Sequence, residues 1–300
     1  MKKFIIVLTF LINIIENNFT QVISSPKASV IINNKTNREV HQNNSAAAET
    51  ANFNIPQSDN SVVPNTNIKY YALIIGVNSY SDPQISQLDK PIIDAEVFYN
   101  TINTLYTFEK ENIKLLRNAT NAQIIDALDY FAKQVTSNDN FLIFYAGHGY
   151  WNATSEIGYW IPSDAQKNST LNWFRNSTLR DYLKDINSKH TLLITDACFG
   201  GSIFKSRAAF SEASVAVTKL YELTSRKAMT SGTLTEVPDQ SAFLKFLVER
   251  LKQNTEKYLS SEQLFSSFRI AVINNSNVVP QFGEIKDVGD EGGDFIFIHR

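Results

Sequence analysis

The sequence predicts an α/β domain with a mainly parallel sheet and helices on both of its faces. Short apolar runs at 73–77, 113–116, 141–145 and 191–194 alternate with stretches whose apolar residues recur at helical spacing. This rhythm is typical of parallel strands joined by crossover helices. Two of these runs end in a polar residue flanked by glycine, which places candidate chemistry at the carboxyl edge of the sheet. Sheets of this kind bind their ligands at that edge.

The amino terminus predicts export. Residues 1–24 combine a basic start, an apolar run at 4–15 and small residues near Ser24, after which we expect cleavage of a signal peptide. The apolar run is shorter than the roughly 20 residues that a spanning helix needs, so no stable membrane insertion is expected. An uncleaved anchor lying at the membrane interface is the alternative.

Composition separates a linker from a folded domain. Residues 25–68 are rich in Asn, Ser, Thr and Ala without sustained periodicity, which predicts a disordered linker or pro-segment before a domain at 69–300. The 43% hydrophobic content is enough for a full core. A net charge of −2 with no basic run argues against a nucleic-acid partner. The single cysteine excludes an internal disulfide and a cysteine-rich zinc site.

The elements follow in order along the domain. The helix that starts near Thr120 or Asn121, either of which suits an N-cap, places Ile124, Leu128 and Phe131 on one face. A long connecting segment covers 202–226. The other expected helices are 89–106, 178–186, one beginning at 241, and 261–274, and the later strands are 159–161, 227–232 and 293–297.

Two residues at strand ends carry the candidate chemistry. Cys198 follows the strand at 191–194 and precedes two glycines, whose small size lets backbone N–H groups approach a reacting carbonyl. His148 follows the strand at 141–145 between two further glycines. Taken alone, a cysteine is usually a buried hydrophobe and a histidine usually structural. Together, at two strand ends, they are the nucleophile and base of a cysteine hydrolase.

These motifs resemble those of the caspase-like peptidases. The histidine motif is Tyr-Ala-Gly-His-Gly at 145–149, the cysteine motif is Asp-Ala-Cys-Phe-Gly-Gly at 196–201, and the 50 positions from His148 to Cys198 are a caspase spacing. The resemblance covers about 70–300. It implies the caspase-haemoglobinase fold with a six-stranded sheet, and an endopeptidase that works through a thioester. Further matching stretches are 71–78 as first strand, 158–164 after the histidine and 293–297 as last strand.

The cysteine motif differs from that of animal caspases in a way that bears on specificity. Asp196 stands where they carry Gln, and Phe199 where they carry Arg, Gln or Gly. The motif is similar instead to those of metacaspases and their bacterial relatives, the orthocaspases, in which Asp94 would be a second acidic residue. The resemblance implies that both acids line the pocket for the residue before the cut bond, which would then be Arg or Lys. Two carboxylates would offset the cost of burying such a cation. Other readings are a helix-terminal role for Asp94 and an amide-satisfied loop carboxylate for Asp196.

The remaining site residues follow from the same resemblance. The backbone N–H groups of Gly149 and Cys198 are expected to hold the oxyanion. The strand at 227–232 is expected to form one wall of the substrate groove, with Ser231 in contact with substrate.

Self-processing and cofactors complete the expectations. Lys205 and Arg207, in the long segment after Cys198, are candidate self-cleavage positions for an enzyme that prefers basic residues. No metal or other cofactor is expected. Some metacaspases respond to calcium, but the acidic cluster at 287–291 does not have the spacing of an EF-hand loop.

Two rival functions remain open, both with protein or peptide partners. One is a non-catalytic scaffold that uses this fold for binding. The other is a peptidase of the same clan that cuts after Asn or Asp.

Overall fold

A computed structural model describes residues 68–197, 203–204, 217–232 and 241–300, with the backbone alone for 217–219. All of them belong to one compact unit at 59–300. Several predicted features therefore lie outside the described residues: the signal peptide, the linker up to residue 67, Cys198, Lys205 and Arg207.

Eleven strands and six α-helices are formed by the described residues. The strands are β1 (Tyr70–Gly76), β2 (Ile113–Arg117), β3 (Asn140–Ala146), β4 (Gly149–Asn152), β5 (Ile157–Trp160), β6 (Phe174–Arg175), β7 (His190–Asp196), β8 (Ser225–Thr230), β9 (Tyr258–Ser260), β10 (Gln281–Glu284) and β11 (Ile296–Ile298). The helices are α1 (Pro91–Leu105), α2 (Asn121–Gln134), α3 (Asn176–Asp185), α4 (Val217–Glu222), α5 (Ala242–Gln253) and α6 (Ser261–Asn275).

The central sheet has six strands in the order β10-β8-β7-β3-β1-β2. The five strands from β8 to β2 run parallel, and β10 is antiparallel to β8. The predicted α/β class with a mainly parallel six-stranded sheet is confirmed.

Each face of the sheet packs against its own helices. Along β1, Tyr71, Leu73 and Ile75 enter a core shared with α2 and α3, while the alternate residues enter a core shared with α1, α5 and α6. This division follows from the two-residue period of side chains along a strand. None of the helices in the described part of the chain is long and apolar enough to cross a membrane.

Two small antiparallel sheets accompany the central one. Residues 293–297, expected as the last strand, overlap β11, which is the last strand of the chain and pairs with β9 outside the central sheet. The sixth central strand is β10, whose pairing with β8 depends on contacts distant in sequence. The sequence predicted only residues 159–161 as a strand in this region, whereas the structure has a β4-β5-β6 sheet that starts at Gly149. The aromatic residues and glycines of this segment do not show a clear polar and apolar alternation.

The end of β1 is fitted tightly to the start of α1. A Cβ at Gly76 would lie 2.6 Å from the carbonyl oxygen of Pro91 and 2.8 Å from the Cα of Ile92. The Asn78 side-chain oxygen accepts a hydrogen bond from the Ile92 N–H at 2.8 Å. Because only glycine permits this approach, the first turn of α1, with Asp94, lies near the carboxyl edge of the sheet.

Candidate active site

The backbone of His148 is fixed just beyond β3 by hydrogen bonds on both sides. Gly147 has φ +154°, and a Cβ there would lie 2.9 Å from the Tyr145 hydroxyl. The His148 carbonyl accepts from the Tyr145 hydroxyl at 2.7 Å and from the Ile161 N–H at 3.0 Å. Its N–H donates to the Tyr80 hydroxyl at 3.0 Å. The glycine therefore allows a turn that places His148 at the carboxyl edge.

The imidazole is held in one tautomer. Its Nε2 lies 2.8 Å from the Ser86 carbonyl oxygen, and the Tyr80 ring lies beside it with centroids 5.0 Å apart. A carbonyl oxygen can only accept, so Nε2 must carry a proton. In the neutral ring the lone pair is therefore on Nδ1, which has no hydrogen-bond partner among the residues that the structure describes. This leaves Nδ1 as the proton acceptor.

The loop that presents the Ser86 carbonyl is itself braced. The Gln87 side chain accepts from the Tyr80 N–H at 2.9 Å and donates to the Tyr80 carbonyl at 3.0 Å. The Leu88 N–H donates to the Asn78 carbonyl at 2.9 Å. Sequence reasoning did not find Ser86, because it acts through its main chain and leaves no side-chain signal.

The register between β3 and β7 accounts for the separation of the two motifs. The paired residues run from Asn140 with His190 to Ala146 with Asp196, an offset of 50 positions throughout. His148 and Cys198 have the same offset. Each therefore comes two positions after the last paired residue of its strand. Ala197 is the last described residue before Cys198. One trans peptide unit separates their Cα atoms, a distance of about 3.8 Å.

A second fixed point follows the cysteine in the chain, at residues 203 and 204. Ile203 is fully buried, and its carbonyl accepts from the Lys286 N–H at 2.8 Å. Phe204 forms an antiparallel bridge with Ile285, and its ring lies over Gly283, where a Cβ would be 3.2 Å away. We call this contact the 203–204 anchor. It ties the chain after Cys198 to the end of β10.

Asp196, the last residue of β7, is a buried carboxylate with unused bonding capacity. It is 6% exposed, and the Ser241 hydroxyl lies close enough to affect its pKa. Its Oδ1 has no partner within the described residues. Burial raises the pKa of Asp196, and the hydroxyls of Ser241 and Ser231 oppose that rise. The Ser231 hydroxyl is close enough for this effect but, buried as it is, makes no hydrogen bond of ordinary geometry in the described structure.

Ser241 lies close to Asp196 and lines a pocket together with Asp94. Asp94 lies in the first turn of α1, half-buried, and shares with Ser241 a surface pocket of about 370 Å³. Ser241 also caps α5 by accepting from the Leu244 N–H at 3.0 Å. Asp196 is not among the residues that line this pocket, so Ser241 is the residue that the surroundings of the two predicted acids have in common. The other pocket residues are Val97, Leu244, Lys245, Val248, Glu249 and Lys252.

The N–H of Gly149 points away from the neighbouring strand. Across the β4-β5 ladder the Ile161 N–H donates to the His148 carbonyl. In an antiparallel ladder, bonded and non-bonded pairs alternate, so the next pair, Gly149 with Trp160, is a non-bonded one. β4 is also the edge strand of its sheet. The Gly149 N–H is therefore directed outward, beside His148.

The acidic cluster near residue 290 has structural partners. The Asp290 carboxylate accepts from the Arg226 N–H at 2.6 Å and pairs with the Lys227 ammonium at 3.0 Å. Among the residues described, no group of three or more His, Cys, Asp or Glu side chains could hold a metal ion.

Comparison with known proteins identifies the family. The caspase domain model of peptidase family C14 matches residues 69–286, so the chain belongs to the caspase family of cysteine peptidases. The predicted resemblance is confirmed at this level, and a peptidase domain implies protein or peptide substrates.

Two solved structures show the same fold. A protein from Geobacter sulfurreducens is similar at 19% identity and TM-score 0.50, over 76% of this chain and 99% of its own. Caspase-1 from Spodoptera frugiperda is similar at 13% identity and TM-score 0.55, over 74% of this chain and 88% of its own. At these identities the likeness concerns the fold alone. Among curated protein sequences, none matches the chain.

Proposed function

We propose that the protein is a cysteine endopeptidase that cuts after Arg or Lys, with Cys198 as nucleophile and His148 as base. The observation that carries the specificity is Oδ1 of Asp196, a buried carboxylate oxygen two residues before Cys198 in the chain, which has no partner among the described residues. A buried carboxylate oxygen without a partner is costly, and a cationic side chain of the substrate would supply that partner.

Two observations support a dyad of Cys198 and His148: the tautomer of the imidazole and the register between β3 and β7. Because Nε2 is committed to the Ser86 carbonyl, Nδ1 is the nitrogen that receives the Cys198 thiol proton. The equal offset from β3 and β7 supports placing the two residues side by side, since neighbouring strands are about 4.8 Å apart. A thiolate beside an imidazolium is stabilised, which lowers the thiol pKa.

The reaction then proceeds by acyl transfer. The Cys198 sulfur forms a bond to the scissile carbonyl carbon while its proton passes to Nδ1 of His148. The outward N–H of Gly149 and the N–H of Cys198 hold the oxyanion, each contributing roughly 3–4 kcal/mol. When the C–N bond breaks, the imidazolium gives its proton to the leaving amine. Water, deprotonated by Nδ1, then hydrolyses the thioester and regenerates the thiol.

The specificity pocket is formed by groups around Ser241. Asp196 supplies a buried oxygen that has no partner among the described residues, Asp94 adds a second carboxylate in the pocket that Ser241 lines, and Ser231 adds a hydroxyl that is likewise without a partner there. A guanidinium presents several N–H donors in one plane and suits such a set of acceptors. We expect Arg to be preferred over Lys for this reason.

The test uses matched fluorogenic peptides that end in Arg, citrulline, Lys, Asn or Asp. Citrulline keeps the shape of arginine but has no charge, so it isolates the contribution of the cation. We expect hydrolysis after Arg and Lys, a loss of at least 100-fold with citrulline, and no hydrolysis by Cys198→Ala. Cleavage after Asn or Asp would replace this specificity with that of the rival peptidase. No hydrolysis of any peptide, with slow alkylation of Cys198 near pH 6, would favour a binding scaffold.

Self-cleavage after Lys205 or Arg207 is part of the proposal. Both residues follow the 203–204 anchor closely, and both suit a pocket for cations. Mass spectrometry of the purified protein should show fragments ending at these residues, and the Cys198→Ala protein should remain intact. Fragments in both proteins, or in neither, would contradict self-processing.

Export is the last part of the proposal. It is supported by the basic start and the apolar run at 4–15. Amino-terminal sequencing of the mature protein should begin at Ser25. Mature material that begins at Met1 would contradict cleavage.

A further inference from the structure

The small β4-β5-β6 sheet continues directly from His148 and carries a row of aromatic rings. Tyr150 pairs with Tyr159 across β4 and β5, and Tyr159 pairs with Arg175 across β5 and β6. The Trp173 ring meets Tyr150 edge-on at 5.0 Å and Tyr159 at 5.4 Å. The Arg175 guanidinium lies over the Tyr159 ring at 5.6 Å. We call these four residues the aromatic face.

Only part of the aromatic face is open to solvent. Trp160, which alternates with Tyr159, turns to the other side and stacks on Tyr145 with centroids 4.4 Å apart, fully buried. On the aromatic face Tyr159 is 3% exposed and packs in the core, whereas Tyr150 is 45% exposed. Trp173 is half-buried, and its indole N–H is fixed to the Gln166 carbonyl at 2.9 Å. An exposed ring next to a fixed one offers a ready contact surface for an apolar side chain.

His148 and Tyr150 project to the same side of the chain. They are two residues apart, and the ladder bond from Ile161 to His148 extends the strand geometry of β4 back to the histidine. Alternate residues of an extended segment share a face. The aromatic face therefore begins beside the imidazole.

The chemistry sets the direction in which a substrate crosses this edge. His148 must protonate the leaving amine, so the residues after the cut bond depart on the His148 side. The residue before the cut bond lies on the side of Asp196 and Ser231, at the ends of β7 and β8. The strand order β8-β7-β3 directs the leaving segment from β7 past β3, and β4 begins at Gly149, immediately after His148. That path leads over Tyr150.

Resting on the proposed function, we propose that Tyr150 and Trp173 form a subsite for the first residues after the cut bond. The subsite takes aromatic or large apolar side chains, because its surface consists of ring edges and faces. A basic residue is disfavoured there by the exposed Arg175 guanidinium. The enzyme would thus recognise a cation before the cut and an aromatic side chain after it.

The test compares internally quenched peptides that differ only in the residue after the arginine: Phe, Leu, Ala or Lys. For the wild type we expect kcat/KM to be about tenfold higher with Phe than with Ala, the size expected for burying one ring against two others. Tyr150→Ala and Trp173→Ala should each bring this ratio close to one, and Tyr150→Phe should preserve it. Tyr130→Ala is the matched control, since Tyr130 is 38% exposed on α2, away from this sheet.

A second measurement separates this subsite from general damage. A peptide aldehyde that ends in arginine has no residue after the cut bond, so its inhibition constant should be unchanged in Tyr150→Ala and Trp173→Ala. Loss of the ratio together with weaker aldehyde inhibition would overturn the proposal, as would a wild-type ratio near one. If the wild type cuts no arginine peptide at all, the proposed function fails first and the subsite with it. Cleavage without a preference removes the subsite alone.

Discussion

The two central strands β3 and β7 carry an aspartate and a histidine at each end of the sheet. At the amino end Asp139 precedes β3 and His190 opens β7; at the carboxyl end His148 follows β3 and Asp196 closes β7. The residue types are the same, but their surroundings differ. The comparison shows what separates a structural pair from a reactive one.

At the amino end the pair is saturated. Asp139 accepts from the Lys69 N–H and from both the N–H and the hydroxyl of Thr136, at 2.8–2.9 Å. Both ring nitrogens of His190 have partners, the Ser225 hydroxyl at 2.9 Å and the Tyr221 carbonyl at 3.1 Å. Burial lowers the pKa of His190 to about 3, so the ring is neutral. These two side chains hold neighbouring segments together, and their hydrogen-bonding groups already have partners within the protein.

At the carboxyl end the pair keeps open positions. Within the described residues, Oδ1 of Asp196 has no partner, and Nδ1 of His148 has none either. One nitrogen of His148 is fixed by a neighbour, and the other nitrogen, like Oδ1 of Asp196, has no partner in the part of the chain that the structure describes. Unused hydrogen-bonding capacity on a rigid support, and not the residue type, distinguishes the reactive end.

The largest expected effect is a difference in kcat between variants of His148 and of His190. His148→Ala should lower kcat by about 10²–10⁴-fold, the usual contribution of a general base, without lowering the melting temperature. His190→Gln should keep kcat within about twofold and lose roughly 1–3 kcal/mol of stability, because the Tyr221 carbonyl and the Ser225 hydroxyl lose their present partner. Steady-state kinetics and thermal unfolding of both variants provide the check. Loss of activity in His190→Gln at full stability would contradict the comparison.

The two aspartates should also differ: substitution of Asp196 should lower activity, and substitution of Asp139 should lower stability. Asp196→Asn should lower kcat/KM for the arginine peptide by about 100-fold or more, because the substrate cation loses its partner. Its stability should be unchanged or higher near neutral pH, since burial raises the pKa of Asp196 and the ionised form opposes folding. Asp139→Asn should keep activity and lose about 1–3 kcal/mol, because an amide N–H would face backbone donors. Denaturant unfolding and arginine-to-citrulline kinetic ratios test the pair.

The pH dependence of stability should come largely from the amino end. The folded pKa of His190, about 3, lies below its unfolded value near 6.5, so the unfolded state binds more protons between these values. Stability is therefore complete above about pH 6.5 and falls as the pH drops, by about 2 kcal/mol at pH 5. The His190→Gln protein should lose this dependence. An equally steep curve for that variant would assign the effect to other groups.

The pH dependence of specificity should come from the carboxyl end. Burial raises the pKa of Asp196, so on acidification the free enzyme protonates this group earlier than an exposed aspartate. A neutral carboxyl attracts the cation less, so KM for the arginine peptide should rise as the pH falls. KM for the citrulline peptide is the control and should change little. Parallel changes in both would place the effect elsewhere in the site.

The smallest effect concerns the support of the imidazole. Tyr80→Phe keeps the ring beside His148 but removes the hydroxyl that accepts from the His148 N–H and donates to the Val77 carbonyl. We expect kcat to fall about threefold to tenfold, through looser positioning, with KM unchanged. Tyr130→Phe, on the exposed side of α2, is the matched control. A change in KM alone would mean that Tyr80 contacts substrate instead.

The sequence predicted what local pattern and covalent order determine. The apolar runs located β1, β3 and β7. The cap of α2 was expected at Thr120 or Asn121, and the structure has it at Thr120, in a capping box with Gln123. Sheet order and the partners of β10 and β11 were beyond reach, because they depend on contacts between distant segments. The same limit applies to Ser86, whose role depends on a main-chain carbonyl delivered by a loop from another strand. The sequence predicted Asp196 as a site residue. It did not predict that Oδ1 of this residue would lack a hydrogen-bond partner among the described residues.

The 203–204 anchor bears on what maturation would change. A cut after Lys205 would create a new chain terminus one residue beyond Phe204. Residue 198 would still be connected on its amino side to β7 and on its carboxyl side to the 203–204 anchor beside β10. Nicking would then not assemble the nucleophile.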